Sequence, residues 1–138
     1  MPVTSVGSIQ GVLPVVQTPF HPDDSIDAKT LQREVDWLFE CGVDGVVMGM
    51  VSETTRLTDA ERDKLLEYLV RFTAGRGPVI ASVGGESTVQ AIRHTKAAEA
   101  LGADAFMAIP PTSTRCSDQE IVAYFRAIIG QTSRPVIV

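Results

Sequence analysis

Long apolar runs are missing from this 138-residue sequence, and with them any expectation of a membrane-spanning helix. Clustered positive charge is missing too. The 12 Lys plus Arg are scattered against 17 Asp plus Glu, and a formal net charge of -5 offers no electrostatic footprint for nucleic acid or anionic lipid. Cys41 and Cys116 are the only two cysteines and lack CxxC spacing, so reduced, structural thiols in a reducing compartment are expected. Met1 to Gly11 has neither a basic stretch nor a long apolar core; no secretory signal is expected there, and the cytoplasm is the expected location. His21 and His94 lie far apart without a partner at ligand spacing, so both are expected at the surface and no metal site is expected. A G-x-G-x-x-G fingerprint, a Walker loop, a nucleophile elbow and an HExxH are all absent, and no cofactor is expected.

What is present is the composition of a folded chain, 44% hydrophobic and 21% charged. One domain of this length buries roughly two thirds of its unfolded surface. Residues 1–138 are expected to form that single domain, with 1–10 a flexible lead-in. Short β-branched apolar runs alternate with longer segments of helical period, the pattern of parallel strands joined by crossover helices. Five strands are predicted, near Val12–Thr18, Gly45–Gly49, Pro78–Val83, Ala105–Ile109 and Pro135–Val138. Their lack of polar alternation suits strands covered on both faces. Four amphipathic helices lie between them, marked by Leu31, Val35, Leu38 and Phe39, by Leu65, Leu66, Leu69, Val70 and Phe72, by Val89, Ile92 and Leu101, and by Ile121, Val122, Phe125, Ile128 and Ile129.

The helix ends are written into the chain. Thr58 with Glu61, Ser87 with Gln90, and Ser117 with Glu120 fit the capping box, and Asp27 is placed to cap the first helix. Gly42, Gly75, Gly102 and Gly130 each follow an apolar-periodic segment, where a left-handed residue closes a helix. Gly42-Val43-Asp44-Gly45 and Gly102-Ala103-Asp104-Ala105 repeat one Gly-x-Asp turn at a spacing of two βα units of about thirty residues each.

Five strands and four helices fit either the first part of an eight-stranded (β/α) TIM-type barrel or a small doubly wound open sheet. Thr18-Pro19 after the first strand and Val83-Gly84 after the third supply neither the acidic set of a phosphoacceptor receiver nor a phosphate loop. The residues then suggest a family. Gly11-Val12-Leu13-Pro14-Val15-Val16-Gln17-Thr18-Pro19-Phe20 with Ile26-Asp27, Gly49-Met50-Val51-Ser52-Glu53 with Leu57-Thr58 and Glu61-Arg62, Pro78 to Gly84, and Gly102 to Ala105 follow one another as in the dihydrodipicolinate synthase and N-acetylneuraminate lyase family, which the chain resembles over nearly its whole length.

The resemblance implies an α/β protein of parallel TIM-barrel type, of which the chain holds about the first half. It implies a homo-oligomer acting on a small-molecule 2-oxo acid such as pyruvate, held as a Schiff base on a lysine of strand six. A protonated imine is an electron sink beside the reacting carbon. It also implies substrate-binding positions at Thr18, Gly49, Ser52 and Glu53, because loops at the C-terminal strand ends hold the substrate. Glu53 is either a loop organiser or a solvated carboxylate. The two threonines of the family's G-T-T-G-E loop are Met50 and Val51 here, which donate no side-chain hydrogen bond. The tyrosine pair after strand four is replaced by Thr112 and Ser113.

No catalytic residue is assigned. Lys29, Lys64 and Lys96, the only lysines, fall in predicted helices, where a solvated amine keeps its proton. Tyr68 and Tyr124 fall in helical stripes as packing residues, and the family's strand-five tyrosine position lies one residue past Val138. The chain alone is therefore expected to be inactive. Two other readings stay open: a non-catalytic half-barrel that pairs with itself or a partner, and an open-sheet ligand-binding protein, which requires a strand order that is not sequential.

Overall fold

The computed structural model describes residues 9–138, so most of the expected lead-in lies outside the described residues. Among them the chain runs α1 Ala28–Glu40, β1 Val46–Met48, a 3-10 turn Met50–Ser52, α2 Asp59–Thr73, β2 Val79–Ser82, α3 Thr88–Leu101, β3 Ala105–Met107, α4 Asp118–Ile129 and β4 Val136–Ile137. The strands pair in parallel in the order β1-β2-β3-β4. Sequential order removes the open-sheet reading and leaves the barrel-type α/β sheet.

The first predicted strand differs from expectation. Residues 12–16 run beside β1, with Val47 N–H donating to Pro14 O at 2.9 Å and Val16 N–H to Val47 O at 3.0 Å, yet they make only one bridge, Val15 to Val47. The next rung would need an N–H on Pro14, which proline lacks. The result is an edge segment and four strands.

Register sorts the side chains into two faces. Met48, Ala81 and Phe106 align across β1, β2 and β3, and Val136 continues the row on β4. This row meets Leu31, Val35, Leu65, Leu66, Leu69, Tyr124 and Ile128 of the helices in the main core. Val47, Ile80 and Ala105 align on the opposite face with Leu13 and Met107 as a smaller cluster. That division is what a sheet wrapped by helices on one side requires.

Three helix starts behave as the spacing implies. Asp27 accepts from Thr30 N, and Thr58/Glu61 and Ser117/Glu120 close both halves of their capping boxes. Ser87 caps α3 by accepting from Gln90 N at 3.2 Å, while the Gln90 side chain lines a cavity described below. Gly42, Gly75 and Gly102 have φ of 87°, 74° and 94°, whereas Gly130 ends α4 at φ -68° and needs no glycine conformation.

The apolar face of α3 is not the expected one. Val89 is 77% exposed, and the buried residues are Ala91, His94, Thr95 and Ala98. Small side chains let α3 sit close against α2 and the sheet, and the larger apolar residues fall beside that contact. Val122 and Ile129 of α4 are likewise exposed, with Tyr124 and Ile128 turned inward.

The Gly-x-Asp repeat is a pair of strand clamps. Asp44 donates its N–H to Val12 O at 2.9 Å while its carboxylate accepts from Val12 N at 2.7 Å. Asp104 does the same with Val79, at 2.8 Å for both bonds. The intervening junction relies on close backbone approach, since a Cβ on Gly77 would fall 2.0 Å from Asp44 O.

Candidate functional site

The segments leaving the C-terminal strand ends converge on one side of the sheet. Thr18 and Ser52 are buried, and their bonds tie the edge segment to the turn after β1. Thr18 Oγ1 donates to Ser52 O at 2.6 Å, Ser52 Oγ donates to Val16 O at 2.5 Å, and Gly49 N–H donates to Ser52 Oγ at 3.2 Å. Thr54 Oγ1 adds a bond to Gly49 O at 3.2 Å. Thr18, Gly49 and Ser52, three of the four expected substrate-binding positions, are thus brought together, with the Thr18 and Ser52 hydroxyls both engaged by backbone. Glu53 follows in the left-handed region at φ 64°, its carboxylate 3.0 Å from Arg56 Nη1. A positive φ at a residue with a Cβ is sparsely populated and marks a constrained turn. Met50 and Val51 are each 53% exposed.

Arg62, a motif residue given no role from sequence, is the buried cross-link of this face. It is 7% exposed, and its guanidinium donates to Thr54 O at 2.7 Å and Ser82 O at 2.9 Å, joining the loop after β1 to the C-terminal end of β2. Burial lowers its pKa, an effect the nearby Asp59 carboxylate opposes. An arginine still keeps its charge under such conditions. His94 corrects the expectation of a surface histidine. It is buried, with Nε2 3.0 Å from Asp59 Oδ1 and Nδ1 3.2 Å from Gly84 O. The His94 hydrogen bond, followed by Arg93, holds the Asp59 carboxyl below its ordinary value.

Gly84-Gly85-Glu86, which leads into α3, is fixed by side chains from α4 and α3. Tyr124 accepts from Gly85 N at 2.9 Å and donates to Gly85 O at 3.2 Å, so this packing residue also holds the loop; burial raises its pKa. Glu86 accepts from Thr112 N at 3.1 Å, Thr112 Oγ1 at 2.9 Å and Ser113 N at 2.9 Å, and also from Ser113 Oγ. The Ser113 hydroxyl bond, then the two amides and the Thr112 hydroxyl, lower the Glu86 pKa to about 2. A cavity of about 230 Å³ lies between these loops, bounded in part by Met50, Arg62, Glu86, His94, Ile109 and Thr112.

The lysines are elsewhere. Lys29, Lys64 and Lys96 stand exposed on α1, α2 and α3, and Lys64 pairs with Glu67 at 3.0 Å. Tyr68 stacks on Phe72 at 5.6 Å between ring centres. Cys41 and Cys116 are unpaired thiols, and no cluster of three metal-ligating side chains occurs among the described residues. No helix of the described residues is long and apolar enough to cross a membrane.

A sequential parallel sheet, helices on one face and loops gathered at the C-terminal strand ends define a protein of the (β/α) barrel class. Within that class the chain belongs to the dihydrodipicolinate synthetase family, whose model matches residues 8–138. It is 35% identical over 130 residues to a 4-hydroxy-tetrahydrodipicolinate synthase of Methanococcus vannielii, covering 94% of this chain and 45% of that protein. It is 37% identical over 131 residues to the synthase of Neisseria meningitidis serogroup B, with the same coverage. Among solved structures, the dihydrodipicolinate synthase of Acinetobacter baumannii complexed with pyruvate superimposes with a TM-score of 0.90 at 32% identity, over 94% of this chain and 45% of that one. The 4-hydroxy-tetrahydrodipicolinate synthase of Methylacidiphilum fumariolicum gives 0.89 at 32% identity, over 93% and 43%. The chain spans about half the length of the relatives it matches.

Proposed function

We propose that this chain is the substrate-mouth half of a Schiff-base lyase acting on a 2-oxo acid such as pyruvate, and that on its own it forms no imine. Support for the substrate class comes from family membership and from relatives whose structures hold pyruvate. The observation that carries the second clause is the placement of the amines. Capture of a ketone needs a neutral amine, which a shielded cavity favours and water does not. All three lysines sit on outer helices in solvent. In this reading Thr18, Gly49, Ser52 and Glu53 shape the rim: the first three fix the turn after β1 through Thr18 Oγ1–Ser52 O and Gly49 N–Ser52 Oγ, and Glu53 braces the turn that follows. Contacts to a substrate carboxylate would come from backbone N–H groups, since Met50 and Val51 supply none from side chains. Incubation with pyruvate and borohydride followed by intact mass tests it. An unmodified 138-residue chain is expected, and a covalent adduct overturns the proposal.

One observation favours a second reading, assembly with another copy or a partner. On the sheet face turned away from the helices, Val47 and Ile80 are 3% and 1% exposed, but Val15 and Ile137 at the two edges are 36% and 38% exposed. Apolar edge positions of this kind are covered in stable assemblies. A homo-oligomer in the cytoplasm is consistent with it, and sedimentation at micromolar concentration should give a mass above the monomer.

A further inference from the structure

We propose that Glu86 is a single-residue latch that holds the loop between β3 and α4 as a wall of the 230 Å³ cavity. The loop, residues 109–116, carries Pro110-Pro111 directly after Ile109, two residues without N–H groups, and most of it is exposed. Among the described residues, its hydrogen bonds to any other part of the chain all end on the Glu86 carboxylate. Four donors from two consecutive residues converge there, two of them backbone amides that no side-chain substitution in the loop removes.

Glu86 is itself well seated. Gly85 beside it is clasped on both backbone groups by Tyr124 of α4, and Gly84 O is within hydrogen-bond distance of the buried His94 ring. The latch therefore connects a fixed turn to an otherwise unanchored strap. Both partners face the cavity, since Glu86, Ile109, Pro110 and Thr112 are all on its lining. Release of the carboxylate opens that wall without disturbing the sheet, whose rungs to β3 and β4 end at Met107 and Ile137. The device is independent of the proposed chemistry, because it needs no imine and no substrate.

Arg115 provides the readout, an exposed trypsin site inside the strap. In Glu86→Ala, cleavage after Arg115 and amide exchange at Thr112 and Ser113 should each accelerate by at least about tenfold, as expected when a local opening loses its closing bonds. Cleavage after Arg71 and Arg126, which lie in helices, should stay at the native rate. Glu86→Gln retains one acceptor oxygen and should fall between native and Glu86→Ala. Unchanged rates at Arg115, Thr112 and Ser113 would overturn the latch. Equal acceleration at all three arginine sites would overturn it as well, by showing that Glu86 supports the whole fold and not this loop.

Discussion

Arg62 and Glu86 each tie two distant backbone segments together through one side chain, the first from a buried position and the second from an exposed one. Arg62 is buried and donates to two backbone carbonyls at once, so Arg62→Ala should destabilise the fold by about 2–4 kcal/mol, the usual cost of stranding buried partners of a charged group. Arg62→Lys should recover only part of this, because a single ammonium lacks the fork that reaches Thr54 O and Ser82 O together. Denaturant unfolding measures both. Glu86 is exposed, and its effect shows as pH dependence. Its pKa is depressed in the folded chain, so its contribution is fully present above the ordinary carboxyl value of 4.5 and lost as pH falls towards about 2. Amide exchange at Thr112 and Ser113, corrected for intrinsic rates, should therefore rise between pH 4.5 and 2 in the native chain but not in Glu86→Gln. Neither role was legible in the sequence. Glu86 meets its partners 26 and 27 positions away and Arg62 reaches Thr54 O and Ser82 O from 8 and 20 positions away, and no local pattern announces such pairings.

Elements were legible where their determinants are local. A capping residue, its third successor and a closing glycine lie within one turn of the bond they make, which is why the helix starts at Asp27, Thr58, Ser87 and Ser117 followed from spacing alone. Pairing and packing are not local. The Pro14 interruption shows only when β1 lies alongside, and the core face of α3 passes from Val89 to Ala91, Thr95 and Ala98 because close approach to neighbours, not hydropathy, selects it. The repeated Gly-x-Asp turn was visible as a repeat, but its clamp required the partner strand. Asp104→Ala should cost about 1–3 kcal/mol because it strands the N–H of buried Val79, and Asp44→Ala should cost less because water reaches exposed Val12. Equal losses in thermal unfolding would contradict the clamp's dependence on burial.

At the scale of the molecule, the order β1-β2-β3-β4 and the division of the sheet into a helix-covered face and a second apolar face account for both the family fold and the exposed edge positions. Substitution of Ile137 by Lys should lower the sedimenting mass of any assembly formed over that second face while leaving helix content unchanged; an unaltered mass would place the contact elsewhere. The chemistry is a whole-molecule property too, because imine formation depends on where the fold puts its amines. The most direct measurement is peptide mapping after pyruvate and borohydride treatment of this chain. The peptides containing Lys29, Lys64 and Lys96 are all expected to keep their unmodified masses. A reduced pyruvyl adduct on any one of them, at a stoichiometry near one per chain, would contradict that expectation.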